Sequence, residues 1–216
     1  MEVDFSSLTA TQAYHLMTQS IVPRPIAWVL TENATASATA SNQTSFNLAP
    51  FSYFNAVASA PPMVMFSIGV KPDGRIKDTL NNIQRTQTMV IHIASDAQIH
   101  ALNQSAASLD YGDSEIEQLG LNTQPFEGFS LPRLSDCPIA LGCELDHFHT
   151  LKNSDQTLVF AQITCAHYSD DIASAHPDKQ GKPRIKIDAD ALRPLSRLGG
   201  IQYADFSQTI SLKRPD

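Results

Sequence analysis

Residues 71–82, KPDGRIKDTLNN, set three cations, Lys71, Arg75 and Lys77, against the carboxylates Asp73 and Asp78. Ile76, Leu80 and Ile83 recur at i, i+4 and i+7, so the spacing predicts a one-sided helix over residues 75–87, opened by Asp73-Gly74. The first N–H groups of a helix have no partner inside it and carry partial positive charge. Together with cationic side chains and the Thr79 hydroxyl, they are what a phosphate group needs. A solvated helix start, with Asp78 complementing the dipole, accounts for this segment alone equally well.

A second stretch, SFNLAPFSYFNAV at residues 45–57, mixes four aromatic rings with Asn47, Asn55 and Pro50. Pro50 cannot donate to a β-ladder, so a strand starting at Thr44 is expected to bend or end there, leaving backbone N–H and C=O groups nearby without ladder partners. A flat heterocycle with donors and acceptors along one edge would satisfy them. A bulged, aromatic-rich core strand is the commoner fate of such rings.

Other chemistries lack their residues. No G-x-G-x-x-G follows a predicted strand, and Gly69 to Ile76 has the glycine spacing of a phosphate loop but Arg75-Ile76 where Lys-Ser/Thr is required. No G-x-S-x-G is present. His147 and His149, two apart on a predicted strand, are expected on one face with Cys143, but exposed polar side chains beside a turn explain them better than a metal does, so no metal is expected. Cys137, Cys143 and Cys165 form no CxxC and read as buried reduced thiols.

The elements that must position these residues fit within 216 residues, 42% hydrophobic and 17% charged, with no linker between two cores, so one domain over residues 1–216 is expected. A formal charge of −7 and a pI near 5.4 argue against a nucleic-acid footprint or an anionic membrane surface. The N-terminal MEVDFSSLTATQAYHL has neither the basic nor the apolar region of an export signal, and the apolar runs are too short to span a bilayer, so a cytoplasmic location is expected. Leu8, Tyr14 and Met17 predict a short helix with Thr9 or Thr11 as cap, ended by Pro23 and Pro25. Ile26–Leu30, Met63–Val70 and Thr88–Ala94 read as strands, the second buried on both faces, and ENATASATASNQTS (32–45) as a hairpin loop. Ile139–Leu151 and Thr157–Tyr168 predict a long hairpin, while short helices are expected within 96–130. Strands arrive in clusters, which favours an antiparallel barrel with helices outside it.

Taken in order, Ser20-Ile21-Val22-Pro23-Arg24-Pro25-Ile26-Ala27, Asn47-Leu48-Ala49-Pro50-Phe51-Ser52-Tyr53-Phe54-Asn55-Ala56-Val57, Pro61-Pro62 and Gly74-Arg75-Ile76-Lys77-Asp78-Thr79-Leu80-Asn81-Asn82-Ile83 resemble the successive signatures of the flavin reductase-like, FMN-binding split-barrel family. Pro194 to Tyr203 resembles a closing motif of one branch of that family, and residues 96–135 match least.

The resemblance implies a mainly β fold, a six-stranded antiparallel Greek-key split barrel with outer helices, assembled as a homodimer with FMN near the interface. It implies that Thr44, Ser45, Asn47, Ala49, Pro50, Ser52 and Phe54 line the isoalloxazine, with Asn47 and the backbone at Ala49 and Pro50 on its polar edge and Ser52 toward the ribityl chain. Lys77, Asp78 and Thr79 would lie at the phosphate end, with Asp78 capping the helix or orienting Lys77. The inserted Ile76 moves Arg75 out of the relatives' Gly-Arg-Lys-Asp-Thr pattern, and Arg24 and Arg197 would be pocket residues or members of structural ion pairs. The activity implied is NAD(P)H-dependent flavin reduction, with FMN carrying the electrons and the protein supplying position and electrostatics, in service of a monooxygenase or another acceptor. An FMN electron carrier of flavoredoxin type, without its own NAD(P)H oxidation, is the alternative.

Overall fold

The computed structural model describes residues 1–34, 44–206 and 208–212. Helix α1 (Ala10–Ser20) opens with a capping box, in which Thr9 Oγ1 accepts the Gln12 N–H and Gln12 Oε1 accepts the Thr9 N–H. Seven strands follow in one antiparallel sheet: β1 (Ala27–Glu32), β2 (Phe46–Phe51), β3 (Phe54–Ser59), β4 (Pro62–Ile68), β5 (Thr88–Ile93), β6 (Ile139–Thr150) and β7 (Thr157–Tyr168). Helices α2 (Asp78–Thr86), α3 (Ile99–Gln104) and α4 (Glu115–Leu119) lie between them in sequence.

The order across the sheet is β2-β1-β5-β6-β7-β4-β3. The two edge strands, β2 and β3, are joined by Ser52-Tyr53 alone, so the sheet must curl until its edges meet. That closure makes a split barrel, built from six chain segments because 46–59 is one segment that changes edges at its bend. Along each strand alternate residues face opposite sides. Ala27, Val29, Phe51, Val64, Phe66, Ile68, Met89, Ile91, Cys143, Val159 and Ala161 meet inside, with Leu80 and Ile83 of α2 packed against them. The other face of β1 and β5, carrying Trp28, Leu30 and Val90, is covered by Leu102, Ile116, Phe126, Leu131 and Leu134, so part of the sheet is buried on both sides.

Several expectations change. Pro50 does not end its strand: it sits inside β2 opposite Trp28, on a sheet edge where no ladder N–H is required, and the bend falls at Ser52-Tyr53. Asp73-Gly74 forms a separate tight turn, with the Gly74 N–H donating to the Lys71 carbonyl and Gly74 at φ 82°, so α2 starts later, with Lys77 at its N-cap. A bulge at Asp146 breaks the register between β6 and β7 and flips the strand's alternation. Leu145 and Phe148 therefore share the interior with Cys143, while His147 lies flat on Phe160 with centroids 4.4 Å apart, and the expected His147, His149 and Cys143 face does not form. Among the described residues no group of three His, Cys, Asp or Glu side chains is placed to hold a metal, and the three cysteines stand as free thiols.

Residues 35–43, between β1 and β2 in sequence, lie outside the described residues, so of the loop expected over 32–45 only the two ends are seen. The hairpin of β8 (Ala173–Pro177) and β9 (Pro183–Ile187) had no counterpart in the sequence reading. Arg24-Pro25, Ser196-Arg197 and Tyr203-Ala204 pair in a small sheet that ties the start of the barrel to the C-terminal segment, with Gly200 at φ 60° in its turn. No helix among the described residues is long and apolar enough to cross a membrane.

Candidate functional site

The outward edge of β2, the first turn of α2, the turn before it and the loop after α3 enclose a cleft lined by Asn47, Ala49, Pro50, Lys71, Lys77, Asp78, Thr79, Ser105–Leu109 and Glu115. Long-range hydrogen bonds fix each wall. Asn47 Nδ2 donates to Thr79 Oγ1 at 3.0 Å, joining β2 to α2 inside the protein. Asn82 Nδ2 donates to Thr31 Oγ1 and Asn33 Oδ1, which holds α2 against β1. Ser105 Oγ accepts the Trp28 indole N–H at 2.8 Å, and Asn33 Nδ2 donates to the Gly112 carbonyl at 3.2 Å, so both ends of the 105–113 loop are tied to β1 or the residue after it.

The α2 N-terminus has no side-chain cap, and its first intrahelical donors to the Lys77 carbonyl are Leu80 and Asn81. The Asp78 and Thr79 N–H groups thus fall among the helix's unpaired first donors. Burial pushes the Lys77 ammonium below its usual range, with repulsion from Lys71 adding to it, and its Nζ lies 5.5 Å from the centre of the Phe51 ring. Asp78 neither caps the helix nor orients Lys77. Its carboxylate pairs with Lys71 Nζ at 3.0 Å, both groups buried, and that ammonium also donates to the Leu109 carbonyl.

Glu115 accepts the Leu48 N–H on Oε2 at 2.8 Å, and burial pushes its carboxyl up to about 7, with the charge of Asp78 contributing in the same direction. The neighbouring Ser114 hydroxyl donates to the Phe46 carbonyl at 2.6 Å, so α4 covers the edge of β2 at Phe46 and Leu48. In an antiparallel strand N–H groups alternate sides, so Pro50 presents the same edge as Leu48, without an N–H to satisfy.

Of the residues expected to serve one site, the structure brings Asn47, Ala49, Pro50, Lys77, Asp78 and Thr79 into this cleft. Ser52, Phe54 and Arg24 line a separate cavity of about 400 Å³ with Met17, Ile21 and Tyr53. The Arg24 guanidinium donates to the carbonyls of Thr18, Ile21 and Leu198, joining α1 to the C-terminal segment. Arg197 lies over the Tyr203 ring and donates to the Gly200 and Gln202 carbonyls. Neither arginine forms an ion pair among the described residues, and neither reaches the cleft. Thr44 is exposed, and Ser45 Oγ accepts from Asn33 Nδ2 away from the cleft. Arg75 folds back onto Asp73 at 2.6 Å on the surface.

The sequence reading missed Glu115, the 105–109 loop and the pairing of Lys71. The small-residue run Ser105-Ala106-Ala107-Ser108, which lets backbone approach closely, is the one signal that could have pointed to that wall.

An anion entering the cleft meets a partly desolvated ammonium, free helix N–H groups and a Thr hydroxyl. The cleft has a volume of about 70 Å³, room for one tetrahedral anion.

Residues 18–182 match the family described as flavin reductase like domain. An uncharacterised protein of Halalkalibacterium halodurans is 33% identical over all of this chain and 97% of its own length. Nitrilotriacetate monooxygenase component B of Bacillus cereus superposes with a TM-score of 0.80 at 30% identity, over 98% of both chains. The 2-nitrobenzoate 2-nitroreductase of Pseudomonas fluorescens gives 0.82 at 26% identity, over 100% of this chain and 96% of its own. With the closed sheet and the family match over residues 18–182 in agreement, this chain belongs to the flavin reductase-like family.

Proposed function

We propose that the chain binds FMN and works as an NAD(P)H-dependent flavin reductase, in the cytoplasm, as a homodimer that supplies electrons to an oxygenase partner. The observation that carries the reading is the uncapped start of α2, with Lys77 and the Asn47-linked Thr79, placed beside the unpaired edge of β2. The residues fit the cofactor: Lys77, the Thr79 hydroxyl and the first N–H groups of α2 would hold the phosphate, and the β2 edge at Ala49 and Pro50 offers backbone to the ring. When bound, FMN would supply a two-electron carrier between nicotinamide and acceptor.

The protein's own share is positional. Asn47 fixes the Thr79 hydroxyl by donating to its oxygen, leaving the hydroxyl proton for a ligand. The Lys71–Asp78 pair neutralises the one carboxylate of α2's first turn, so it does not repel an incoming anion. The similarity to a monooxygenase component supports the oxygenase partner. Tyr14, Met17 and Ile21, exposed at i, i+3 and i+7 along α1 and its C-cap, support the dimer, because isolated large apolar side chains are common on surfaces but a stripe of them along one helix face asks for a cover.

Anaerobic stopped-flow mixing of the FMN-loaded protein with NADH, and separately with NADPH, tests the activity. Loss of the flavin absorbance within seconds is expected with at least one of them. Flavin that stays oxidised over long incubation with both removes the reductase and leaves an electron carrier.

A further inference from the structure

The flavin site as described gives Glu115 no use. The residue is 6% exposed, its carboxylate lines the cleft, and among the described residues no Lys, Arg or His stands within ion-pairing distance of it. It is held by the Leu48 N–H from β2 and by its own backbone N–H. The charged groups facing the same space are Lys71 and Lys77 from the turn before α2 and Asp78 from α2 itself, while the walls from β2 and the 105–109 loop present Asn47, Ser105 and Ser108.

Lys71 and Asp78 cancel as a pair. The cleft is then neutral when Glu115 is ionised and carries one positive charge when it is protonated. A phosphate dianion brought into this desolvated space sets two further negative charges beside a carboxylate that has no cation of its own.

We propose that Glu115 takes up a proton from solvent when a phosphate-bearing ligand enters the cleft, so that FMN binding is coupled to protonation of this side chain and Glu115 sets how strongly the site favours phosphorylated flavin at a given pH. The step is Glu115 carboxylate plus a solvent proton giving the carboxylic acid, with no bond to the ligand made or broken. Because burial already holds the carboxyl at about 7, the exchange falls in the ordinary working range of pH. One carboxyl oxygen still accepts the Leu48 N–H after protonation. The inference rests on the reading that this cleft takes the phosphate of a flavin.

The test is calorimetric titration of the flavin-free full-length chain with FMN at pH 8, in HEPES and in Tris, whose ionisation enthalpies differ. At that pH the FMN phosphate, with a second pKa of about 6, contributes no proton of its own. A carboxyl of pKa about 7 is about nine-tenths ionised at pH 8, so uptake of about 0.5 to 0.9 proton per FMN is expected. Riboflavin should bind with none. Glu115→Gln should bring the FMN figure close to zero, which separates Glu115 from Lys77, whose ammonium could also gain a proton, and the exposed neighbour substitution Glu117→Gln should leave it unchanged. From pH 7.5 to 8.5 the FMN Kd should rise by about three- to eightfold, while that of riboflavin stays level. Where Glu115→Gln fails to fold, Lys77→Met makes the separation: proton uptake that persists on FMN binding without the ammonium assigns it to Glu115, and uptake that vanishes overturns the inference. FMN binding with no proton uptake overturns the inference and leaves the flavin site intact. Binding of neither flavin overturns the flavin site and the inference with it.

Discussion

Replacing Lys77 with methionine removes one charge from the cleft while keeping an unbranched apolar stem beside Phe51. Alanine would also remove the stem, and any lost affinity would then mix packing with charge. The Lys77 ammonium is largely withdrawn from water and sits next to the uncapped start of α2, so a bond from it to a phosphate oxygen would be charge-assisted and poorly screened. Such a bond contributes about 1.5 to 3 kcal/mol, which is about a 10- to 150-fold weaker Kd for FMN. Riboflavin, which has no phosphate, should lose less than about threefold. Fold stability should change little: the 5.5 Å contact of Nζ with the Phe51 ring contributes about 0.5 to 1 kcal/mol, and removing a desolvated charge acts in the opposite direction. The assay is quenching of flavin fluorescence on titration with wild type and Lys77→Met, with thermal unfolding of both proteins as the control. Equal losses for the two flavins, or an FMN loss under threefold in a folded variant, would refute the assignment of Lys77 to the phosphate.

Two further outcomes follow from the core. His92 donates from Nδ1 to the Trp28 carbonyl and accepts the Leu134 N–H on Nε2, and full burial pushes it down to about 4. Its contribution is complete above pH 6.5 and is lost as pH falls toward 4, roughly 2 to 4 kcal/mol in all, so urea midpoints at pH 7 and 4.5 should differ more in wild type than in His92→Gln. The difference between the two proteins is the measure, because Glu115, with its raised value, titrates with the opposite sign between about 4.5 and 7; parallel pH slopes would rule out His92 as the source. At Gly142 an added Cβ would meet Cys165 Sγ at 2.5 Å and the Phe129 ring at 2.9 Å, so Gly142→Ala should lower stability by about 1 to 3 kcal/mol in chemical denaturation, and an unchanged midpoint would show that Cys165 and Phe129 can give way freely.

Local pattern made the barrel's parts legible. The long hairpin of β6 and β7 follows from two β-prone runs around Lys152 to Asp155, and α2 from the spacing of Leu80 and Ile83, because in each case the signal and the structure lie in the same few residues. Asn47 and Thr79, 32 residues apart, meet in one cleft, and both stood in the sequence reading through the order of the family's motifs. What stayed hidden depends on register or on distant contacts. One extra residue at Asp146 reverses every side chain after it, and nothing in DHFH announces a bulge. Ser52 and Phe54 adjoin Pro50 in sequence, yet Ser52 lies in the bend and Phe54 beyond it on the opposite edge strand, and both line a different cavity. Glu115 lies on a five-residue helix in the stretch with the poorest periodicity, and its place in the cleft is fixed by Ser114 reaching Phe46 and by Asn33 reaching Gly112.

The position of the cleft follows from how the fold handles an unpaired edge. A barrel that closes through a bend leaves the outer side of β2 with N–H and C=O groups that need partners. Ser114 takes the Phe46 carbonyl and Glu115 takes the Leu48 N–H, so α4 acts as a substitute strand for the first half of β2. At Pro50 the substitution stops, because that residue has no N–H to cover, and the chain opens there to the first turn of α2. A carboxylate recruited to satisfy backbone at Leu48 is thereby left at the wall of a site rich in anion donors, with its own charge uncompensated. Covering the edge with the neutral hydroxyl alone would have left no titratable group on this wall of the cleft. The residue that completes the fold at this edge is therefore also the one whose protonation the ligand can change.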